Sequence, residues 1–434
     1  MDDQLTRIAS WLQATLLPNQ EQRRAAEAAL QEGELQQGHA TVLFRLAVDN
    51  TVQVEPVLRQ TAAVHMKNVV NRRWDPPMNP ARGMERTLPL CDADKASVRD
   101  NLVEAMCVAL PQVRVQLGTC LRAAAHADYP DHWPGLLPAI CINVRSSEPD
   151  RLYGGLFCLR LLTKCHQYRK ERMGPLHQLV AETFPLLFGL LRSILAAPPT
   201  VANSELALLA SKTMWSSIQL DLPPLLLQPA ALEPWFEVML GLLAQPAPAE
   251  DSPSDPDEAS KWPPWKLKKR VVQIMYRVLQ RYGNPATAKE KANETGGATG
   301  ATEMTFGDDN GTSVVASDGG ATAETKVHHG AFALFARAFQ DSMSGKCLQG
   351  CLQLLQRVSR GEVLPGRVHM LCLSYIEEAI KYKTTYTAIL KPQIAELFRE
   401  VSRRQEVCVA HRQQKRPFAT PLSLRDARRR AARR

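Results

Sequence analysis

Apolar residues recur at steps of three and four along most of the chain, and this spacing constrains the fold more than any other feature. It is clearest at 54–69, 113–124 and 267–282. Residues three and four apart share one face of an α-helix, so each stretch predicts a helix with a buried stripe. No stretch alternates convincingly between apolar and polar residues, as a half-buried strand would. The pattern predicts an all-α protein.

Prolines and capping residues divide this pattern into about eight pairs of helices, most of which span about forty residues. One such pair cannot bury its apolar face alone, whereas stacked pairs form a continuous core. We therefore expect an α-solenoid of HEAT-type antiparallel helix pairs that curves into a superhelical arch. Two separate globular helical bundles are the alternative. The predicted pairs lie roughly at 4–33, 37–73, 93–127, 131–169, 174–220, 230–283, 329–359 and 366–401.

Three segments lack the helical pattern. Residues 246–259 form an acidic, proline-rich loop, and residues 284–328 form a glycine-rich insert that is too poor in apolar residues to order itself. Residues 402–434 form a basic tail that we expect to be disordered for the same reason. The remaining chain divides into helical repeats at 1–127, 128–283 and 329–401.

The positive charge is concentrated in this tail. The whole chain carries a formal net charge of +9, and residues 402–434 alone hold ten Arg and one Lys against Glu406 and Asp426. The rest of the chain is therefore neutral overall, and the basic balance is no sign of a nucleic-acid-binding fold. The cations of 403–434 would bind nucleic acid without sequence preference.

The sequence contains none of the signatures that we associate with enzymes. It has no phosphate-binding glycine loop, no dinucleotide fingerprint and no H-E-x-x-H zinc helix. The ten cysteines form no C-x-x-C pair, and no histidines stand at zinc spacing. We interpret the cysteines as reduced, mostly buried thiols of an intracellular protein. We expect neither a catalytic activity nor a metal or other cofactor.

Targeting and membrane segments are also not expected. The first residues, MDDQLTRIASWL, are acidic and amphipathic, unlike a signal peptide. The longest apolar stretch, TFPLLFGLLRSILAAPP, is too short for a membrane span and is interrupted by Arg192. We therefore predict no membrane insertion.

The stretch ADYPDHWPGLLPAI (127–140) places two aspartates and a histidine among prolines. Asp128, Asp131 and His132 together suggest a catalytic or metal-binding group. A catalytic role would require His132 to face a cleft beside a nucleophile, and the surrounding sequence offers no such residue. We therefore favour a structural interpretation.

In that interpretation the stretch joins two helices. Asp128 and Tyr129 end the first helix, and Pro130 separates it from the next. Asp131 caps the second helix, and Trp133 packs inward at its first turn.

Two basic stretches remain ambiguous from the residues alone. LRQTAAVHMKNVVNRRW (58–74) carries Lys67 and three arginines beside its apolar stripe. These charges either form a solvated face or bind a partner on the concave side of a solenoid. The run of bases in WKLKKRVVQIMYRVLQRYG (265–283) suggests a nuclear-localisation or nucleic-acid patch, but it also fits the polar side of an amphipathic helix, which we favour.

These stretches resemble the importin-β superfamily. LRQTAAVHMKNVVNRRW is similar to the end of its N-terminal domain, where a basic helix runs into a Lys-Asn pair and then a Trp. VRVQLGTCLRAAAHADYPDHWPGLLPAI resembles the next repeat, including the D-[FY]-P-x-x-W-P joint. WPPWKLKKRVVQIMYRVLQRYGNP and EAIKYKTTYTAILKPQIAELFREV resemble the importin-7/importin-8 group more specifically.

The resemblance implies a nuclear transport receptor that binds the GTP form of the small GTPase Ran through its N-terminal repeats, here 1–127. It also implies passage through the nuclear pore on phenylalanine-glycine nucleoporins, shuttling between cytoplasm and nucleus, and basic import cargo such as ribosomal proteins or histones. The matching helices give four candidate polar contacts to Ran, namely Lys67, Asn68, Arg114 and Arg122.

The chain also departs from the family pattern. Family members continue for many repeats beyond the position of Val401, whereas this sequence changes there to the arginine-rich tail. We therefore expect a receptor truncated at its C-terminus. A HEAT-repeat scaffold that binds proteins without regard to nucleotide is the alternative function.

Overall fold

The computed structural model describes residues 2–77, 87–248, 252–283, 323–359, 364–381 and 389–392. All regular structure in these ranges is helical. The tail at 402–434 and residues 284–322 of the predicted insert lie outside the described residues, as do 249–251 of the acidic loop.

The described α-helices are numbered here in chain order. They are α1 (Asp2–Ala14), α2 (Gln20–Gly33), α3 (His39–Val48), α4 (Pro56–Arg73), α5 (Asp92–Val108), α6 (Pro111–Asp128), α7 (Leu136–Val144), α8 (Pro149–His166), α9 (Met173–Ala196), α10 (Val201–Ser217), α11 (Pro224–Leu227), α12 (Pro229–Ala244), α13 (Pro256–Ala259), α14 (Pro263–Arg281), α15 (Ala323–Ser342), α16 (Ser344–Ser359) and α17 (Gly366–Ile380).

The helices are arranged in two layers. Helices α1, α3, α5, α7, α9, α12 and α16 pack side by side in this order and form the first layer. Helices α4, α6, α8, α10, α14 and α17 pack in the same way and form the second layer. Each second-layer helix also packs against the first-layer helix that precedes it in its pair, as α3 does with α4 and α7 with α8. Stacked helix pairs with a shared core are an α-solenoid, so the predicted fold is confirmed.

Local signals set the starts of several helices. Pro56, Pro111, Pro149 and Pro263 are each the first residue of a second-layer helix, where the missing N–H of proline costs nothing. The side chain of Asn19 caps α2 by accepting hydrogen bonds from the backbone N–H groups of Glu21 and Gln22.

The two layers approach closely where α8 crosses α5. A Cβ atom placed on Gly154 would lie 2.7 Å from the Cα atom of Cys107. Only glycine lets the two backbones approach this closely, so Gly154 fixes the distance between the two helices.

The last described repeat is paired differently from the prediction at 329–359. Helix α16 pairs with α17, since α16 extends the first layer beyond α12 and α17 extends the second layer beyond α14. Helix α15 is an additional helix that packs across α11, α12 and α16, with Phe339 against Phe236 at a ring-centroid distance of 5.5 Å. It begins at Ala323, so residues 323–328 are helical, although the sequence analysis assigns them to the disordered insert.

The segment Lys170–Ala196, which contains α9, is long and apolar enough to cross a membrane by length and composition. The expectation that no apolar segment has the necessary length is therefore wrong. A core helix can have the same properties, and here Leu179, Phe184 and Leu187 are completely buried. The helix packs against α8, α10 and α12.

Candidate protein-binding surface

Within the described ranges, no three His, Cys, Asp or Glu side chains come together as a metal site requires. The nine described cysteines are free, and seven of them are buried. Burial raises the pKa of the Cys107 thiol to about 11 and that of Cys347 to about 12. A thiol with a raised pKa stays protonated and is a poor nucleophile or metal ligand.

Asp128, at the end of α6, has a buried carboxylate that binds two other helices. Its Oδ2 atom accepts a hydrogen bond from the indole Nε1 of Trp74 at 3.1 Å and one from Nη1 of Arg99 at 2.8 Å. Trp74 follows α4, and Arg99 lies on α5. The carboxylate therefore joins the ends of α4 and α6 to α5.

Tyr129 and Pro130 form the turn that follows α6. The Tyr129 ring is buried and meets the ring of His166 edge-on, with the centroids 5.7 Å apart. Its carbonyl accepts a hydrogen bond from Nη1 of Arg172 at 2.7 Å. Pro130 is half-buried after a cis peptide bond. These contacts connect the turn to the C-terminal end of α8 and the segment after it.

Trp133 is buried, whereas Asp131 and His132 in the turn before it are exposed. The backbone N–H groups of His132 and Trp133 both donate to the carbonyl of Asp128, at 2.7 and 3.0 Å. The expectation that Asp131 caps the next helix is wrong, because α7 begins only at Leu136 and two turns occupy the residues between. His132 has no nucleophilic side chain beside it among these turn residues, so the geometry contains no catalytic group.

Three of the four basic residues on α4 are used inside the molecule. Arg72 and Arg73 bind the buried carboxylate of Glu34, with Nε of Arg73 at 2.9 Å. Arg59 donates to two backbone carbonyls of the loop that precedes the helix. These arginines fix α4 against α2 and that loop rather than forming a freely solvated face.

Lys67 and Asn68 have a different environment on the same helix. Lys67 is half-exposed and Asn68 is exposed. Neither side chain makes a hydrogen bond or ion pair with another described residue. Their neighbours Met66, Val69 and Val70 are completely buried, so Lys67 and Asn68 belong to the part of the α4 surface that packing leaves accessible.

The two candidate arginines of α6 are also different from each other. Arg122 is exposed, and its side chain has no hydrogen-bond or ion-pair partner among the described residues. Arg114 is half-buried, donates to the carbonyl of Cys107 at 3.1 Å and lies over the ring of Tyr153 at 5.0 Å. The structure thus leaves Lys67, Asn68 and Arg122 on neighbouring second-layer helices and turns Arg114 toward α5 and α8.

An apolar cleft of about 600 Å³ opens in the first layer between α12 and α16. Gly350 leaves part of this space open, since a Cβ there would meet the cleft residues Leu240 and Leu243. The apolar residues that line the cleft are Leu240, Leu243, Ala244, Leu354 and Ile389.

The sequence of this chain is similar to those of known proteins. The family model for the importin-beta N-terminal domain matches residues 26–108. The chain is 28% identical over 390 residues to the importin beta-like SAD2 homolog of Arabidopsis thaliana, a match that covers 89% of this chain and 33% of that protein. It is 30% identical over 292 residues to Importin-8 of Mus musculus, covering 66% of this chain and 28% of the relative. The chain belongs to the importin-β superfamily.

One solved structure is similar to this chain in fold. The exportin Cse1 in its cargo-free, cytoplasmic state matches 92% of the chain and 45% of its own length, with a TM-score of 0.57 and 14% sequence identity. This likeness supports the HEAT-type solenoid and nothing finer. The chain spans about a third or less of the length of the curated relatives described above.

Importin-β superfamily proteins are transport receptors rather than enzymes. Three of the four residues that the sequence suggested as partner contacts are accessible on the second layer. Two half-exposed lysines on the following second-layer helices, Lys164 of α8 and Lys212 of α10, were not predicted as contacts from the sequence. The helical period marks both as polar positions, but only the stacking order of the helices shows that they continue the surface formed by Lys67 and Arg122.

Proposed function

We infer that this chain is the N-terminal portion of an importin-type nuclear transport receptor, which binds the GTP form of Ran through α4 and α6. The observation that carries the proposal is the position of Lys67, Asn68 and Arg122. They lie on adjacent helices of one layer without a partner among the described residues, and Lys67 and Asn68 fall inside the family-model match at 26–108. Side chains held in this way are available to a protein partner.

Recognition of the nucleotide would be non-covalent. In small GTPases the γ-phosphate orders the switch segments, and these segments are released after hydrolysis. Polar side chains on a rigid pair of helices would bind the ordered switches and lose their contacts when the switches become mobile. Arg114 is left out of this contact set because its guanidinium group already serves Cys107 and Tyr153.

The similarity to Importin-8 supports a place in the importin-7/importin-8 group and import as the direction of transport. The receptor would carry protein cargo into the nucleus and shuttle between cytoplasm and nucleus.

The cleft between α12 and α16 offers a site for phenylalanine-glycine nucleoporins. A phenylalanine ring is apolar and compact, and the cleft is apolar, open at the surface and large enough for one ring. Weak single contacts of this kind would permit rapid passage.

The nucleoporin site is tested by filling the cleft. Gly350→Leu places a side chain in the cleft, where a Cβ already lies 2.9 Å from the Leu240 side chain. Gly189→Leu is the control, since a Cβ at Gly189 has no neighbour within 4 Å. We expect Gly350→Leu alone to lose binding of a phenylalanine-glycine repeat peptide. Equal binding by both variants would contradict the assignment.

The nucleotide-indifferent HEAT scaffold is the alternative, and it has the same fold. A pull-down with Ran loaded with GTP or GDP separates the two. The proposed function requires retention of Ran-GTP and not of Ran-GDP, whereas equal retention or none would favour the scaffold.

A further inference from the structure

The two helical layers have opposite charge. The second-layer helices α4, α6, α8, α10 and α14 contain sixteen Lys and Arg against three Asp and Glu. The first-layer helices α3, α5, α7, α9 and α12 contain four Lys and Arg against seven Asp and Glu. A body that is neutral overall therefore has a strongly basic layer, which composition alone conceals.

Each of these second-layer helices carries one base at about the same height along the parallel helix axes, and we call this height the common level. Contacts between neighbouring helices show it for α4, α6 and α8. On α4, Lys67 lies close enough to Cys120 of α6 to lower the pKa of its thiol, although burial has the larger effect and raises the pKa to about 12. On α8, the thiol of Cys165 donates to the carbonyl of Arg122 at 3.7 Å. Lys164 precedes Cys165, so Lys164 lies beside Arg122.

The same level continues to α10. Oγ of Ser216 donates to Oε1 of Gln167 at 3.0 Å. Lys212 and Lys164 each lie about one helical turn before this contact, on parallel helices. Their positions along the helix axes therefore coincide.

On α14 a base lies within about one helical turn of this level. The guanidinium group of Arg270 lies over the ring of Trp215 at 5.1 Å, and Trp215 is one turn beyond Lys212. Lys269 adjoins Arg270 and is half-exposed. We call these five bases the basic ridge: Lys67, Arg122, Lys164, Lys212 and Lys269.

The helices of the ridge carry no acid at its level. Asp128 is buried against Arg99 and Trp74. Asp150 lies in the first turn of α8, and Glu205 of α10 precedes Lys212 by about two turns, so both are more than a turn from the ridge. The excess of Lys and Arg on these five helices therefore gives the second layer a positive potential along the ridge.

We propose that the basic ridge from α8 to α14 binds an extended acidic segment of a partner protein. Packed helices lie about 8–10 Å apart, so successive bases are separated by about that distance. An extended chain advances about 3.3 Å per residue, so an acid at every third position would meet one base per helix. This inference rests on the proposed function, because it assumes that the second layer is a binding surface. It adds the chemical class of a partner, which is acidic.

Charge density favours a protein segment over nucleic acid. Duplex DNA carries a charge about every 1.7 Å of its axis, several times more than one base per helix can neutralise. The sign of the ridge also opposes the basic cargo that the family resemblance implies, because like charges across an interface repel.

The test uses the full chain and a defined probe. The probe is a fluorescent, photo-cross-linkable 16-residue peptide with Glu at every third position and Ser and Gly between. The ridge variant is Lys164→Glu with Lys212→Glu. The control is Lys170→Glu with Lys261→Glu, which makes the same charge change at exposed positions outside the ridge. Lys164→Arg with Lys212→Arg preserves charge, and thermal melting checks the fold of each variant.

We expect the ridge variant to weaken peptide binding about tenfold and the control less than about twofold, with the arginine variant close to the unchanged chain. Cross-links to the unchanged chain should map to α8, α10 or α14. Cross-links confined to 402–434, or equal affinities for the ridge variant and the control, would overturn the proposal. So would ridge-dependent binding of a 16-nucleotide oligothymidylate without ridge-dependent binding of the peptide.

The same variants separate this inference from the Ran proposal. If the ridge variant loses the peptide while no chain retains Ran-GTP, the ridge stands and the Ran proposal fails. If Ran-GTP binding depends on Lys67 while the peptide binds all variants equally, the reverse holds.

Discussion

The indole of Trp74 donates a hydrogen bond to the carboxylate of Asp128 at 3.1 Å across two neighbouring second-layer helices. The two residues are 54 positions apart in the chain, and each lies at the C-terminal end of its helix. Arg99 of the first layer binds the same oxygen at 2.8 Å. One buried carboxylate thus sets the position of α4, α5 and α6, which include the helices that we propose for Ran.

Replacing Asp128 with Ala should destabilise the fold. The change leaves the Trp74 N–H and one Arg99 donor without their acceptor in a buried site, which we expect to cost about 2 kcal/mol of the free energy of unfolding. Urea unfolding followed by circular dichroism measures the loss. Asp131→Ala is the control, because this exposed carboxylate is no helix cap, and its effect should stay within about 0.5 kcal/mol. Equal effects would show that burial of the carboxylate contributes nothing.

Trp133→Ala should lower the free energy of unfolding more than His132→Ala does. Trp133 is buried in the turn between α6 and α7, so its truncation should cost about 3–5 kcal/mol. His132→Ala removes an exposed ring and should cost less than about 0.5 kcal/mol. The same urea measurement compares them. If His132→Ala abolished partner binding while the fold stayed intact, the joint would be a functional site after all.

Helical periodicity predicted the existence of most helices correctly, because buried positions three and four apart are a local property. Val57 shows the limit of that reasoning, since it shares the apolar face of α4 in the sequence pattern yet is 60% exposed. Leu58 in the same turn is buried, and no local pattern distinguishes the two positions.

The candidate site was less predictable because it depends on contacts between repeats. Lys67 and Arg114 are both basic residues on polar helix faces, and only the packing of α8 shows that Arg114 turns inward to Tyr153. The alignment of Lys164 with Lys212 likewise becomes visible only through the hydrogen bond between Ser216 and Gln167, which are 49 residues apart in the chain.

Lys67→Glu should weaken binding of Ran-GTP without changing the stability of the chain. The side chain is half-exposed and has no described partner, so charge reversal should alter the melting temperature little, corresponding to less than about 0.5 kcal/mol. Lys261→Glu is the matched control with the same charge change. Titration calorimetry with Ran-GTP and thermal melting provide the two readouts. Unchanged affinity would remove Lys67 from the proposed contacts, and a large fall in melting temperature would give it a structural role instead.

His39 is a buried histidine at the start of α3, and the described residues provide no hydrogen-bond partner for either ring nitrogen. Burial, aided by the nearby His65, lowers the pKa of His39 from its ordinary 6.5 to about 4, against the attraction of Glu34. The folded chain therefore binds this proton less readily than the unfolded chain does. Neutral His39 is compatible with the fold above pH 6.5, and protonation favours unfolding below it.

The stability of the chain should consequently fall as the pH drops from 6.5 toward 4, with His39 contributing on the order of 2–3 kcal/mol to the fall. His39→Leu removes the titrating ring at similar volume, so its free energy of unfolding should decline less over the same range. His166, whose pKa burial also lowers to about 4, remains in the variant and keeps part of the slope. Urea unfolding at several pH values between 4 and 8 gives both curves. The expected result is that the free energy of unfolding of the variant rises relative to that of the unchanged chain as the pH falls, because the variant lacks the cost of protonating His39 in the folded state. Parallel curves would mean that His39 titrates in the folded chain as it does in the unfolded one.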